Sequence, residues 1–166
     1  MYISVGSYYV DSSIDEPSNA KPLLVTSAGH ERLIKQPYFR TNRPKGRRDY
    51  QILFVKKGCI YYFIDGIKHI CPKNSILIYR PNEPQFYAFN IEDNPDIYWV
   101  HFTGSHVEEW LKKTNIDDKR QYQLTDSDIY VDCIDRIIYE FQHMFYNYIE
   151  LINFFFANCN SKLKQN

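Results

Sequence analysis

Five histidines, four cysteines and one proline-bracketed turn hold most of the side chains with which this chain of 166 residues could do chemistry. In IYRPNEPQFY, residues 78–87, Pro81 and Pro84 flank Asn82 and Glu83, and Gln85 and Tyr87 follow. A turn of this kind between two apolar runs suits the mouth of a small β-barrel. A catalytic metal in such a mouth needs His-x-His with a nearby Glu on one strand pair, and a further His after a Pro-x-Gly turn on the next. The first strand pair here, DYQILFVKKGCIYYFIDG, has no histidine, and Gln85 stands where the last one would be. Glutamine is a poor transition-metal ligand beside imidazole. His30, His69, His101, His106 and His143 would have to converge from distant strands, so no metal and no cofactor is expected.

Other chemistries lack their sequence marks. Cys59, Cys71, Cys133 and Cys159 show no CxxC spacing, and the expectation is reduced, buried thiols. There is no G-x-S-x-G elbow, no P-loop and no G-x-G-x-x-G run, and six glycines leave little material for a phosphate cradle. The 20 basic and 20 acidic residues cancel, which argues against a broad nucleic-acid surface. The basic cluster Arg40, Arg43, Lys45, Arg47 and Arg48 lacks helical presentation and reads as a pocket rim or a solvated loop. The N-terminal stretch is not patterned as a signal peptide, and no run is long and apolar enough to span a membrane. A cytoplasmic protein without enzymatic activity is expected.

The elements that must position these residues change character twice. Residues 1–20 are rich in Ser, Asp and Asn and read as a flexible arm, with Tyr8, Tyr9 and Val10 as their apolar cluster. Residues 21–104 carry eight short β-type runs: PLLVTS, QPYFR, DYQILFV, CIYYFI, IKHIC, SILIY, QFYAF and IYWVHF. This spacing predicts a barrel or sandwich. Asp65 and Gly66 supply the positive-φ pair of a tight hairpin. From 105 to 166 the apolar period becomes helical. Ser105 is placed to cap VEEWLKKT, and Asp126 or Ser127 opens a longer helix with Tyr130, Ile134, Ile137, Ile138, Phe141 and Phe145 on one stripe. After Asn147 a last helix carries Ile149, Ile152, Phe155, Phe156, Cys159 and Leu163 on one face and Tyr148, Leu151 and Phe154 elsewhere. A helix apolar on two sides packs against two things, its own barrel and a second subunit.

The run RPKGRRDYQILFVKKGCIYYFIDGIKHICPKNSILIYRPNEPQFYAF, followed by DIYWVHFTG, resembles the N-terminal effector-binding and dimerisation domain of AraC-type transcription regulators. The resemblance implies a mainly β fold: a cupin-like double-stranded β-helix, or jelly-roll barrel, followed by two to three α-helices. It implies a small-molecule effector, often a sugar, and a homodimer formed through the C-terminal helices. DNA would be contacted only through a helix-turn-helix domain, which is not present here; the chain ends in NSKLKQN, read as the start of a linker.

Site residues follow from the same resemblance. Arg43 of RPKG matches an Arg that holds sugar oxygens, Tyr87 matches a Tyr after the proline-rich turn, and Trp99 matches a Trp on which the C–H face of a sugar stacks. Alternation along IYWVHF puts Ile97, Trp99 and His101 on one side of a strand, which makes His101 a further candidate. Gln85, with both donor and acceptor capacity, suits a polyhydroxylated ligand. An arabinose-binding member has a polar contact where this chain has Ile97, which disfavours arabinose and leaves a sugar or sugar acid. Two rival readings stand beside this one. One is a metal-free cupin epimerase or isomerase working through His101 and Tyr87; the other is a filled barrel that only dimerises.

Overall fold

In the computed structural model, which describes residues 2–6, 21–116, 118–144 and 146–161, ten strands form two antiparallel sheets. The strands are β1 (Tyr2–Gly6), β2 (Leu24–Arg32), β3 (Tyr38–Arg43), β4 (Tyr50–Lys57), β5 (Cys59–Ile64), β6 (Ile67–Pro72), β7 (Ser75–Tyr79), β8 (Gln85–Asn90), β9 (Asp96–Thr103) and β10 (Gln121–Gln123). The larger sheet runs β1-β2-β9-β4-β7-β10 and the smaller β3-β8-β5-β6. Helices α1 (Val107–Lys113), α2 (Asp128–His143) and α3 (Tyr148–Ser161) complete the chain.

The burial patterns explain the two kinds of strand sequence. β4, β7 and β9 are apolar runs because the larger sheet is covered on both faces. Ile52, Phe54, Ile76, Ile78, Val100 and Phe102 pack toward α2 and α3, in one core with Ile134, Ile137, Phe141, Ile152 and Phe156. The alternate residues Leu53, Val55, Leu77, Tyr79 and Ile97 turn to the space between the sheets and meet Ile60, Tyr62, Cys71, Tyr87 and Phe89. The smaller sheet has one face toward solvent, so β8 alternates strictly between buried and half-buried residues. Each buried Leu, Ile or Phe contributes on the order of 1.5–3 kcal/mol, and two such cores share one sheet.

Several sequence expectations are met and others are corrected. Asp65 (φ 51°) and Gly66 (φ 78°) form the β5–β6 turn, and the stripe of α2 is buried at Tyr130, Ile134, Ile137, Ile138 and Phe141. On α3, Ile152, Phe156 and Cys159 are buried while Leu151 and Phe154 are exposed. Phe145 and Leu163, like Tyr8 and Tyr9 of the arm, lie outside the described residues. The Ser- and Asp-rich composition of residues 1–20 predicts a flexible arm, yet residues 2–6 form β1 on the edge of β2, with Tyr2 opposite Glu31. The helical segment also returns a strand to the sheet, β10, against β7. Ser105 does not cap α1: its hydroxyl turns to the Lys21 carbonyl and the His106 ring. Among the described residues no helix is long and apolar enough to cross a membrane.

Candidate functional site

Two strand pairs from opposite sheets bring the polar interior together. On the smaller sheet, β3 and β8 pair Arg43 with Gln85 and Thr41 with Tyr87. On the larger sheet, β4 and β9 pair Gln51 with His101 and Leu53 with Trp99. In each case the residues share the face that turns to the space between the sheets, because Tyr87, Phe89, Leu53 and Ile97 of the same strands line that interior core. All five residues proposed from sequence therefore face the space between the sheets or its rim, Arg43, Gln85 and Tyr87 from the smaller sheet and Trp99 and His101 from the larger.

The contacts tie them into two groups joined by one bridge. Arg43 Nη1 donates to Gln85 Oε1 at 3.2 Å; Arg43 is exposed at the rim, while Gln85 is 0% exposed beneath it. Trp99 is half-buried, and its ring meets the His101 ring edge-on with centroids 5.3 Å apart. The bridge is Gln51 Nε2, which donates to the Tyr87 hydroxyl at 3.3 Å across the two sheets. Gln51 Oε1, Gln85 Nε2 and the Tyr79 hydroxyl are buried without a hydrogen-bond partner. Leaving such groups unpaired costs about 1–3 kcal/mol each.

Charge at the rim is arranged by one buried carboxylate. Asp49 accepts from Arg47 Nε at 2.6 Å and from Arg47 Nη2 at 2.9 Å. Burial works to raise its carboxyl, but His101 and Arg47 outweigh that and hold it below the ordinary carboxylate range. His101 Nδ1 lies 3.4 Å from Asp49 Oδ2, at ion-pair distance but out of hydrogen-bond alignment. Burial pushes the imidazole below its ordinary value, against the pull of Asp49, so the ring is neutral at pH 7. Burial likewise raises the Tyr87 hydroxyl, against hydrogen bonds from Thr41 and Gln51.

The turns that carry these residues are stitched to each other. Gly46 of RPKG has φ +67°, and its amide donates to the Arg43 carbonyl at 3.0 Å. A Cβ there would stand 2.2 Å from the Glu83 carbonyl oxygen, so only glycine lets this turn lie against Pro81–Pro84. Asn82, at φ 64°, donates its amide to the Arg47 carbonyl. Glu83 accepts from the Arg80 amide and from Arg120 Nη1. The turn at residues 81–84 is thus scaffolding for the rim, and the polar work falls to Gln85 behind it.

Sequence reasoning passed over Thr41, Asp49, Gln51 and Glu31. The signal for two of them was present: in DYQILFV the alternation puts Asp49 and Gln51 on the face of Leu53 and Val55, where apolar residues belong. Glu31 is 7% exposed on β2, opposite the interior residue Ile97, and burial raises its carboxyl to about 7. A groove of about 470 Å³ lies against the same strands, walled by Arg40, Asn42, Phe63, Phe86 and Ala88 and touching Thr41 and Tyr87. No three His, Cys, Asp or Glu side chains converge as for a metal ion among the described residues.

Comparison with known proteins agrees with this architecture. Among solved structures, ToxT from Vibrio cholerae bound to (E)-4-(8-methylnaphthalen-1-yl)but-3-enoic acid superposes with a TM-score of 0.52 at 17% identity, over 86% of this chain and 57% of that one. ToxT with an unsaturated fatty acid bound gives 0.50 at 15% identity, over 88% and 56%. The likeness is one of fold, and the chain spans less than two thirds of the length of either structure. No curated protein matches the chain. The family model described as AraC-like ligand binding domain matches residues 28–141, which includes every strand from β3 to β10 and nearly all of α2. The chain belongs to the AraC-like ligand binding domain family.

Proposed function

We propose that this domain is the effector-sensing and dimerising part of an AraC-type transcription regulator acting in the cytoplasm. It takes a small hydroxylated molecule, a sugar or sugar derivative, into the metal-free space between its sheets. The observation that carries this reading is that Arg43, Gln85 and Tyr87 of one sheet and Trp99 and His101 of the other face the same interior, among buried amide and hydroxyl groups that lack partners. A mixed set of donors and acceptors beside a half-open indole is what a polyhydroxylated ring requires. In this reading residues 21–104 hold the effector, residues 105–166 pair two copies, and DNA is met through a further domain. Effector binding acts by differing in strength between two arrangements of the dimer. Catalysis by His101 and Tyr87 is less well supported, because His101 is turned to Asp49 and the Tyr87 oxygen is engaged by Gln51.

A second reading of the effector has its own support. Below the polar layer the interior is apolar, with Val55, Ile60, Leu77, Phe89 and Ile97 buried together. A carboxylic acid with an apolar body, of the kind named in the two ToxT structures, would match that gradient. Thermal unfolding of the purified domain against sugars, sugar acids, aromatic acids and fatty acids separates the two. A ligand at one hundred times its Kd adds about 2.7 kcal/mol, and Arg43→Ala and Trp99→Ala should each remove the response to it while leaving the domain folded. Silence of the whole panel sinks both proposed effector classes and favours a different ligand class or a domain that only dimerises.

A further inference from the structure

The hydrogen-bond ledger at the rim names the chemical class of the group the effector presents there. Arg43 is a permanent cation, and the one side-chain partner it has among the described residues is a neutral amide oxygen, Gln85 Oε1. That contact also fixes which way the amide points. A guanidinium is donor-only, so turning the amide over would set Nε2 against another donor. Gln85 Nε2 is therefore held as a second donor, fully buried and without an acceptor. Two carboxylates of the neighbouring turns are committed elsewhere, Asp49 to Arg47 and Glu83 to Arg120, and no contact joins Arg43 to the interior carboxyl of Glu31 among the described residues.

A cation at the rim and, beneath it, a fixed amide donor without an acceptor are matched by a group that only accepts. We propose that Arg43 and Gln85 together form an anion receptor for a carboxylate or comparable oxyanion on the effector, so that the molecule sensed is an acid and not its neutral counterpart. This rests on the reading of the interior as an effector site, and holds whether the body of the effector is a sugar or an apolar chain. The rest of the polar wall, Gln51 Oε1 and the Tyr79 hydroxyl, is left for neutral groups of the same molecule.

The test is an NMR titration of the ¹⁵N-labelled domain with acetate and, in parallel, with acetamide, its neutral analogue. Acetate should move the Gln85 side-chain amide saturably and acetamide should not. Arg43→Gln should weaken acetate at Gln85 by at least about tenfold, the scale of a lost charge-assisted hydrogen bond. Arg40→Gln, on the same strand but walling the outer groove, should leave it unchanged. Gln85→Glu supplies the anion within the chain next to Arg43 and should leave the unfolding midpoint no lower than that of the parent. Equal shifts from acetamide, or equal losses in the Arg40 and Arg43 variants, overturn the proposal. Matched pairs in the unfolding assay, galacturonate with galactose and octanoate with octanol, separate the two levels of inference. If acid and neutral partner stabilise equally, the anion receptor falls and the sensing role stands. If acetate binds at Gln85 while no member of any pair stabilises, the receptor stands and the proposed effector classes fall.

Discussion

Glu31 brings a carboxyl into the interior on β2, and burial raises its pKa from the ordinary 4.5 to about 7. A group whose folded pKa lies above its unfolded one holds its proton more tightly in the native state, so its contribution is full below pH 4.5 and is lost as pH rises toward 7. Glu31→Gln removes that loss. The variant should match the parent near pH 4 and exceed it at pH 8, by up to about 3 kcal/mol at 1.36 kcal/mol per pKa unit; urea melts at the two pH values measure this, and an identical difference at both would count against a titrating Glu31. The same residue shows what remained illegible at this scale. Within LLVTSAGHER nothing distinguishes a carboxylate turned inward from one turned to solvent, because the face is decided by register with β9, Glu31 opposite Ile97. Trp99 and His101 were legible because a single strand, IYWVHF, carries both the alternation and the aromatic pair. The pairing of Arg43 with Gln85 was not, since it joins residues 42 positions apart.

At the scale of the element, the Arg43–Gly46 turn controls the rim. Gly46→Ala combines a positive φ with a Cβ 2.2 Å from a backbone oxygen, whereas Gly66→Ala, at φ +78°, meets nothing within 4 Å. Gly66→Ala should cost only the left-handed penalty of about 1–2 kcal/mol. Gly46→Ala should cost distinctly more, and should also displace Arg43 and weaken effector binding. Chemical denaturation of both variants checks the order; a Gly46 variant no less stable than the Gly66 variant would mean that the two turns are not locked together. Eight of the ten strands were readable from apolar runs and turn residues. β10 was not, because QYQ lies in the polar stretch KRQYQLT and only Tyr122 turns inward. β1 escaped because YISVG precedes a Ser- and Asp-rich segment, and its place depends on the open edge of β2.

The whole molecule presents an apolar surface on its helices that its own core does not use. Phe154 is 62% and Leu151 38% exposed on α3, with Tyr139 of α2 and Met144 and Tyr146 of the connection also outward. Patches of this kind mark interaction sites in soluble domains. With the proposed dimer formed there, Phe154→Glu and Leu151→Glu should shift the domain toward monomer in sedimentation equilibrium, with helix content and unfolding cooperativity retained; a dimer unchanged in both variants would place the interface elsewhere. The larger sheet carries a consequence of another order. Along β9, Trp99 and His101 look into the interior while Tyr98, Val100 and Phe102 look toward the helices, and β4 divides in the same way. In the proposed function, recognition and the packing of the helices that assemble the dimer thus fall on alternate letters of the same strands. Libraries that vary positions 51, 99 and 101 leave the helix-facing letters untouched, so a lineage, or an engineer, is free to retune what the domain senses without re-solving how it assembles.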